Sequence, residues 1–282
     1  MKSIRNWRTL YISAGLVLAA MAGLSASAFS TRSAERNRDV VARPVESPAQ
    51  SAAASPPVGT ILPVRLDKTL AADEAQAGQE IDGEIMQDVP LQDREKIHMK
   101  SRVGGTIVSV APAAGGAGAQ VSVRFDKIDN HGEIISMLTS LRAIASYHEV
   151  NSALAPLNDA NAGSPPGWAD TVLIGGDVRY GDGGEVVNRQ KQKVGKGVSG
   201  GVLVHVSDQP GSGCDGPING NDSLQALWVF SADACGVYGL PGIGVPHDGK
   251  TAPVGVITFA FTGSETKLEG FAGLLLRVVA PQ

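Results

Sequence analysis

Val121-Ser122-Val123-Arg124-Phe125, then Asn130-His131-Gly132, then the run from Glu133 to Ile144 decide the fold class. Apolar side chains at 121, 123 and 125 recur at every second position, the period of a strand with one covered face. Asn130-His131-Gly132 reads as a hairpin turn, with glycine supplying positive φ, and 133–144 as the returning strand. Working outward, the same short-strand pattern recurs at Ile61 to Leu66, Glu80 to Val89, Ile97 to Met99 and Arg102 to Val110. Pro63 has no N–H to give to a ladder, which predicts an edge position or a bulge there. Thr69 to Gln76 allows one or two helical turns, stopped by Gly78. Short strands at this spacing predict a barrel or sandwich over residues 58–145.

The C-terminal part is read as a second all-β module over 168–282, after a spacer at 146–167 that carries Pro165-Pro166. It holds 22 of the 35 glycines. That density excludes long helices, since each interior glycine costs about 1 kcal/mol against alanine. Strands are expected at 171–174, 178–180, 201–206, 224–230, 254–261 and 272–279. Leu224 to Phe230 is apolar at all but one position, the pattern of a central strand covered on both faces.

The N-terminus is an address. Lys2, Arg5 and Arg8 precede an apolar run from Leu10 to Leu24, closed by Ala26-Ser27-Ala28. That is the order of a secretory signal peptide. Two readings stay open, cleavage after Ala28 or an uncleaved anchor, and only in the second does the chain contact a membrane, through residues 1–28. Residues 29–57 read as a disordered or semi-extended linker. Loss of 1–28 removes those three basic residues and no acidic one, taking the formal charge from −4 to −7. Such a balance repels nucleic acid and anionic lipid. The expected location is periplasmic or secreted, or anchored in the inner membrane and facing the periplasm.

Cys214 and Cys235 are the only cysteines, and in an oxidising compartment an even count predicts a bridge. Its loss is expected to weaken the second module and leave the first largely intact. No catalytic, cofactor or metal residue is assigned. Gly197-Val198-Ser199-Gly200-Gly201 has the glycine-x-serine-x-glycine pattern of hydrolases, but a strand follows where that pattern needs a helix, so a hairpin turn is expected. His98, His131, His148, His205 and His247 are scattered in sequence. Gly181 to Glu185 and Asn219 to Asp222 lack the spacing of a calcium loop and read as turns. Trp168, Trp228 and Tyr238 could line a carbohydrate surface; core filling is the plainer role of Trp228.

A resemblance adds to this reading. Gly59-Thr60-Ile61-Leu62-Pro63, Gly78-Gln79, Asp88-Val89, Ser101-Arg102-Val103 with Gly105, and Phe125-Asp126-Lys127-Ile128 with Gly132 and Ile135 resemble the β-barrel domain of the TrbI/VirB family. That family builds scaffolds of conjugation and type IV secretion channels. The likeness covers about 59–142, and Lys100 stands where the family has glycine. It implies a β-barrel and a non-catalytic scaffold or accessory role in the bacterial cell envelope, with other envelope proteins as partners and no cofactor. The alternative is a secreted or periplasmic module binding a ligand or glycan through loops such as Asp208 to Asp222. A serine hydrolase is the remote third reading.

Overall fold

The ladder that begins at the quoted stretch runs further than its sequence neighbourhood. The computed structural model describes residues 55–114, 116–155, 170–181, 183–207, 214, 223–263 and 265–281. Its strands are β1 (Ile61–Leu66), β2 (Leu70–Ala71), β3 (Glu80–Ile85), β4 (Val89–Pro90), β5 (Lys96–Ile97), β6 (Arg102–Ala111), β7 (Gln120–Asn130), β8 (Glu133–Ser136) and β9 (Thr139–Ala145). A helix, α1 (Tyr147–Leu154), follows. Then come β10 (Thr171–Val172), β11 (Val178–Arg179), β12 (Glu185–Val187), β13 (Lys193–Val198), β14 (Gly201–Val204) and β15 (Gln225–Ala226). The last are β16 (Gly236–Tyr238), β17 (Ile243–Gly244), β18 (Ile257–Phe261), β19 (Lys267–Leu268) and β20 (Gly273–Val278). The protein is all-β in class.

The turn after β7 forms as the sequence reads. His131 and Gly132 both have positive φ, 59° and 95°, and Asn130 pairs with Glu133 across them. Two left-handed residues give the twist that a two-residue hairpin needs. β7 is long enough to serve two partners besides β6: its first half pairs with β18 and its second half with β8.

The main sheet runs β16-β9-β20-β1-β3-β6-β7-β18-β17, with β8 attached to β7. Laid flat, nine strands would set the two ends about 38 Å apart. Yet β16 and β17 are joined by only Gly239–Gly242, a link reaching at most about 18 Å. The sheet must therefore curl back on itself. No ladder joins β16 to β17 among the described residues, so the roll does not close into a barrel. Its inside is lined by Leu62, Val64, Val103, Val123, Phe125, Leu274 and Phe259, all buried.

The expected boundary between two modules is overturned by this order. β20 lies between β9 and β1, and β18 extends the sheet beyond β7, so the C-terminal strands complete the sheet that the first half begins. The physical reason lies in β20. All six of its residues are buried, so it needs neighbours on both edges and cover on both faces. Gln50–Gln282 accordingly forms one compact unit.

The second sheet, β10-β11-β12-β13-β14-β15, covers the outer face of β1, β9 and β20. There Ile61, Ala143, Ala145 and Leu275 pack with Val150 and Ala153 of α1 and with Val202, Leu227, Trp228 and Phe230. Two buried glutamines link the layers. Gln87 Oε1 accepts from Trp228 N–H at 2.8 Å while its Nε2 donates to Val202 O at 2.9 Å; Gln225 Oε1 accepts from Ile61 N–H at 3.0 Å.

Four local expectations are corrected or narrowed. Pro63 lies in a central strand, where its missing N–H faces the same side as its carbonyl, which meets Met86 beyond the last β1–β3 pair. Of the one or two helical turns expected over 69–76 only one forms, closed by Ala75 N–H on Ala71 O, because Leu70–Ala71 is taken by β2. Leu224 to Phe230 is strand only at Gln225–Ala226; its apolar content serves a turn wedged between layers, with Trp228 at φ 54°. The start of the expected spacer at 146–167 is α1, capped by Ser146 accepting from Glu149 N–H at 3.2 Å.

Candidate functional site

Between the two layers the chain buries polar groups that a plain core would not contain. β9 carries a bulge: Ala143 faces Leu275 and Leu141 faces Leu276, leaving Arg142 as the extra residue. A bulge re-aims its side chain. Arg142 is fully buried and points to the loop that leads into β16, where Nε donates to Ala234 O at 3.0 Å and Nη2 to Ala232 O at 3.2 Å. Burial, with Arg277 nearby, lowers its pKa to about 10. From the other layer Asp177, also buried, accepts Ala232 N–H on Oδ2 at 2.8 Å. Both backbone groups of Ala232 are thus held, one by a buried base and one by a buried acid.

Burial also raises the pKa of Asp177 above 3.8, an effect to which Asp233 adds. Because folding raises this pKa, the protonated acid is favoured in the folded state. The folded chain therefore gains stability from this group as pH falls through the raised pKa toward 3.8, and bears the full charge penalty at pH 7. Asp177→Asn keeps an acceptor for Ala232 and removes the charge. It is expected to be more stable than wild type at pH 7, on the order of 1 kcal/mol, with that advantage shrinking toward pH 4. Denaturant midpoints across this range check it; a lower midpoint at pH 7 would contradict the reading.

The loop held by Arg142 and Asp177 ends at Cys235, which pairs with Cys214 at a Cα–Cα distance of 6.2 Å, inside the span of a disulfide. Cys235 N–H donates to Tyr238 Oη at 3.0 Å. The next strand, β16, pairs in parallel with β9. Contacts of the cysteine loop therefore reach the main sheet, against the expectation that losing the bridge would spare the first half.

A cleft of about 540 Å³ opens beside this region. It lies where α1 ends, at Ala153 and Leu154, and is walled by Leu173, Val198 and Val229, with Trp228 at its side. Arg179 and Thr171, opposite each other on β11 and β10, supply polar groups, and Arg179 Nη2 donates to Thr171 Oγ1 at 3.3 Å. Arg179 Nε is buried and has no hydrogen-bond partner. Ser199 also lines the cleft, in the turn Ser199-Gly200 of the β13–β14 hairpin, as the glycine pattern predicts. No histidine or carboxylate stands among the described lining residues.

At the N-terminus of α1 lies an exposed aromatic group. Tyr147 and Phe271 are 46% and 47% exposed, with ring centroids 6.0 Å apart, and the Arg65 guanidinium carbon sits 5.4 Å from the Phe271 ring centre. Phe271 has φ 64°, a region that costs a non-glycine residue about 1–2 kcal/mol. The histidines, scattered in sequence, include one spatial pair: His98 and His131 stack at 4.7 Å. Among the described residues no three His, Cys, Asp or Glu side chains gather as a metal site, and no helix is long and apolar enough to cross a membrane. Trp228 is 3% exposed, which suits the core role. Trp168, Asp182 and Asn219 to Asp222 lie outside the described residues.

Sequence reasoning missed Arg142, Arg179 and Phe271. None sits in a motif, and a lone arginine in a strand pattern carries no sign that it will be buried. Compared with known proteins, the chain matches no family model and no curated protein.

Proposed function

We propose that this chain is a non-catalytic accessory or scaffold protein of the bacterial cell envelope that acts through protein–protein contact. The observation that carries the reading is the face formed by Phe271, Tyr147 and Arg65. Half-exposed aromatics beside an arginine are the residue types over-represented in interface hot spots. The left-handed backbone of Phe271 holds its ring at the surface at a conformational cost, and such strain clusters at functional sites. The leader order at 1–28 and the cysteine pair, which fits an extracytoplasmic protein, support an envelope location. Lys100 supports the TrbI/VirB resemblance: it stands where that family has glycine, and it has φ 72°, backbone that glycine adopts without strain. The acidic balance leaves nucleic acid out of the partners.

Crosslinking in intact cells tests the proposal. The wild-type chain should be recovered with an envelope protein. Phe271→Ala and Tyr147→Ala, both at exposed positions, should lower that recovery about tenfold with thermal stability kept. Recovery of a lone monomer from crosslinked cells would overturn it. A second reading, a periplasmic or secreted ligand-binding protein, is favoured by the cleft at Arg179. It loses its glycan form in part, because buried Trp228 presents no open ring for a sugar to stack on.

A further inference from the structure

Among the described residues, Arg179 is the one charged group lining the cleft, and none of their carboxylates forms an ion pair with it. Its position is built. The stem passes Gly197, where an added Cβ would lie 3.0 Å from Arg179 Cδ and 3.1 Å from Gly183 Cα, so a larger residue there would crowd the stem. Thr171 fixes one end of the guanidinium, and Nε stays buried with an unused N–H. A guanidinium held this way presents a fork suited to two oxygens of a carboxylate. The apolar part of the wall is formed by Ala153, Leu154, Leu173, Val198 and Val229 with Trp228, and Ser199 adds a hydroxyl beside the glycines of the hairpin turn. The volume suits a small molecule or the end of a chain. The C-terminal end of α1 disfavours an anion slightly, but a short helix dipole acts more weakly than a charge-assisted hydrogen bond to a guanidinium.

We propose that this cleft binds a carboxylate carrying an apolar side chain, the chemistry of a free apolar amino acid or of a peptide C-terminus, with Arg179 as its anion-binding group. The inference rests on the second reading above, a ligand-binding protein, and is independent of the contact face at Phe271.

The test titrates the purified protein with N-acetyl-alanyl-leucine, its C-terminal amide, free leucine, glucuronate and a neutral disaccharide, followed by amide and arginine Nε–H chemical shifts. The acid should give saturable shifts at Arg179 Nε, Thr171 and Ser199, with the amide binding at least about tenfold more weakly. Arg179→Gln should lose about the same factor, and Arg179→Lys less. The amide comparison needs no variant, so a misfolded variant would not shield the idea. Free leucine binding as tightly as the peptide assigns the source to an amino acid; weaker binding assigns it to a peptide end. Equal binding of acid and amide, or glucuronate binding as well as the peptide, would overturn the assignment. Binding of only the disaccharide would overturn it and keep a ligand-binding protein. No shift with any compound at millimolar concentration would overturn both.

Discussion

Arg142→Ala is expected to destabilise the protein by about 3–5 kcal/mol, with the loss centred on β16 and the loop before it. Opposing effects of similar size meet at this residue. Taking the guanidinium out of water beside Arg277 is costly, as the fall of its pKa to about 10 shows. Its two hydrogen bonds to the carbonyls of Ala234 and Ala232 recover roughly 1.5–3 kcal/mol each. Alanine abolishes the cost of the charge but leaves the Ala234 carbonyl without its donor and that of Ala232 with Ser207 N–H alone, and it opens a void where a large side chain stood. The carbonyls and the void outweigh the relief. Arg142→Met refills much of the volume without a donor and should fall near 2 kcal/mol, so the difference between the variants isolates packing from the latch. Denaturant unfolding gives the totals, and hydrogen exchange should show protection lost first at Gly236–Tyr238. If Arg142→Met proves as stable as wild type, the latch contributes no more than the buried charge costs, and Arg142 does not hold β16 in place.

The latch also shows what could be read beforehand. Short apolar strands bounded by turn residues were legible: β1, β6, the first half of β7 and β20 lie within a residue or two of their expected bounds. Partner choice was not. Every rule applied to a strand is local, whereas β20 finds β1 from more than 200 residues away, and the linker pattern at 146–167 suggested a boundary that the sheet ignores. Helix α1 was legible but passed over, since Ser146 and Glu149 have capping-box spacing. The turn at Ser199 was legible because glycines flank it. Arg179 was not, because its role comes from Thr171, Gly197 and the end of α1 meeting in space. Trp228 was half legible: its burial follows from its size, but nothing in Ala226-Leu227-Trp228-Val229 announces a left-handed tryptophan held by Gln87.

That held tryptophan makes Gly201 a sensitive glycine. Gly201→Ala is expected to cost about 3 kcal/mol or more, although alanine is a better strand residue than glycine. At Gly201 φ is ordinary, so the cost is one of space alone. An added Cβ would overlap Gln87 Oε1 and would lie 2.5 Å from Trp228 Cα and 2.7 Å from Trp228 O. Two of those atoms are backbone, so no rotamer change clears them. Gln87 cannot swing away either, since its amide accepts from Trp228 N–H and donates to Val202 O. Relief requires β14 to part both from the Trp228 turn that follows its neighbour β15 and from Gln87 of the main layer, which breaks both glutamine bonds and exposes Val202 and Leu227. Gly183→Ala is the control. It also lies at the cleft and, unlike Gly201, has positive φ, but nothing stands within 4 Å of its added Cβ, so it should lose only the roughly 1–2 kcal/mol of a left-handed alanine. Thermal or denaturant unfolding compares the two, and tryptophan fluorescence should report Trp228 becoming wetter in Gly201→Ala. A Gly201→Ala midpoint no lower than that of Gly183→Ala would mean that β14, Gln87 and the Trp228 turn do not meet this closely.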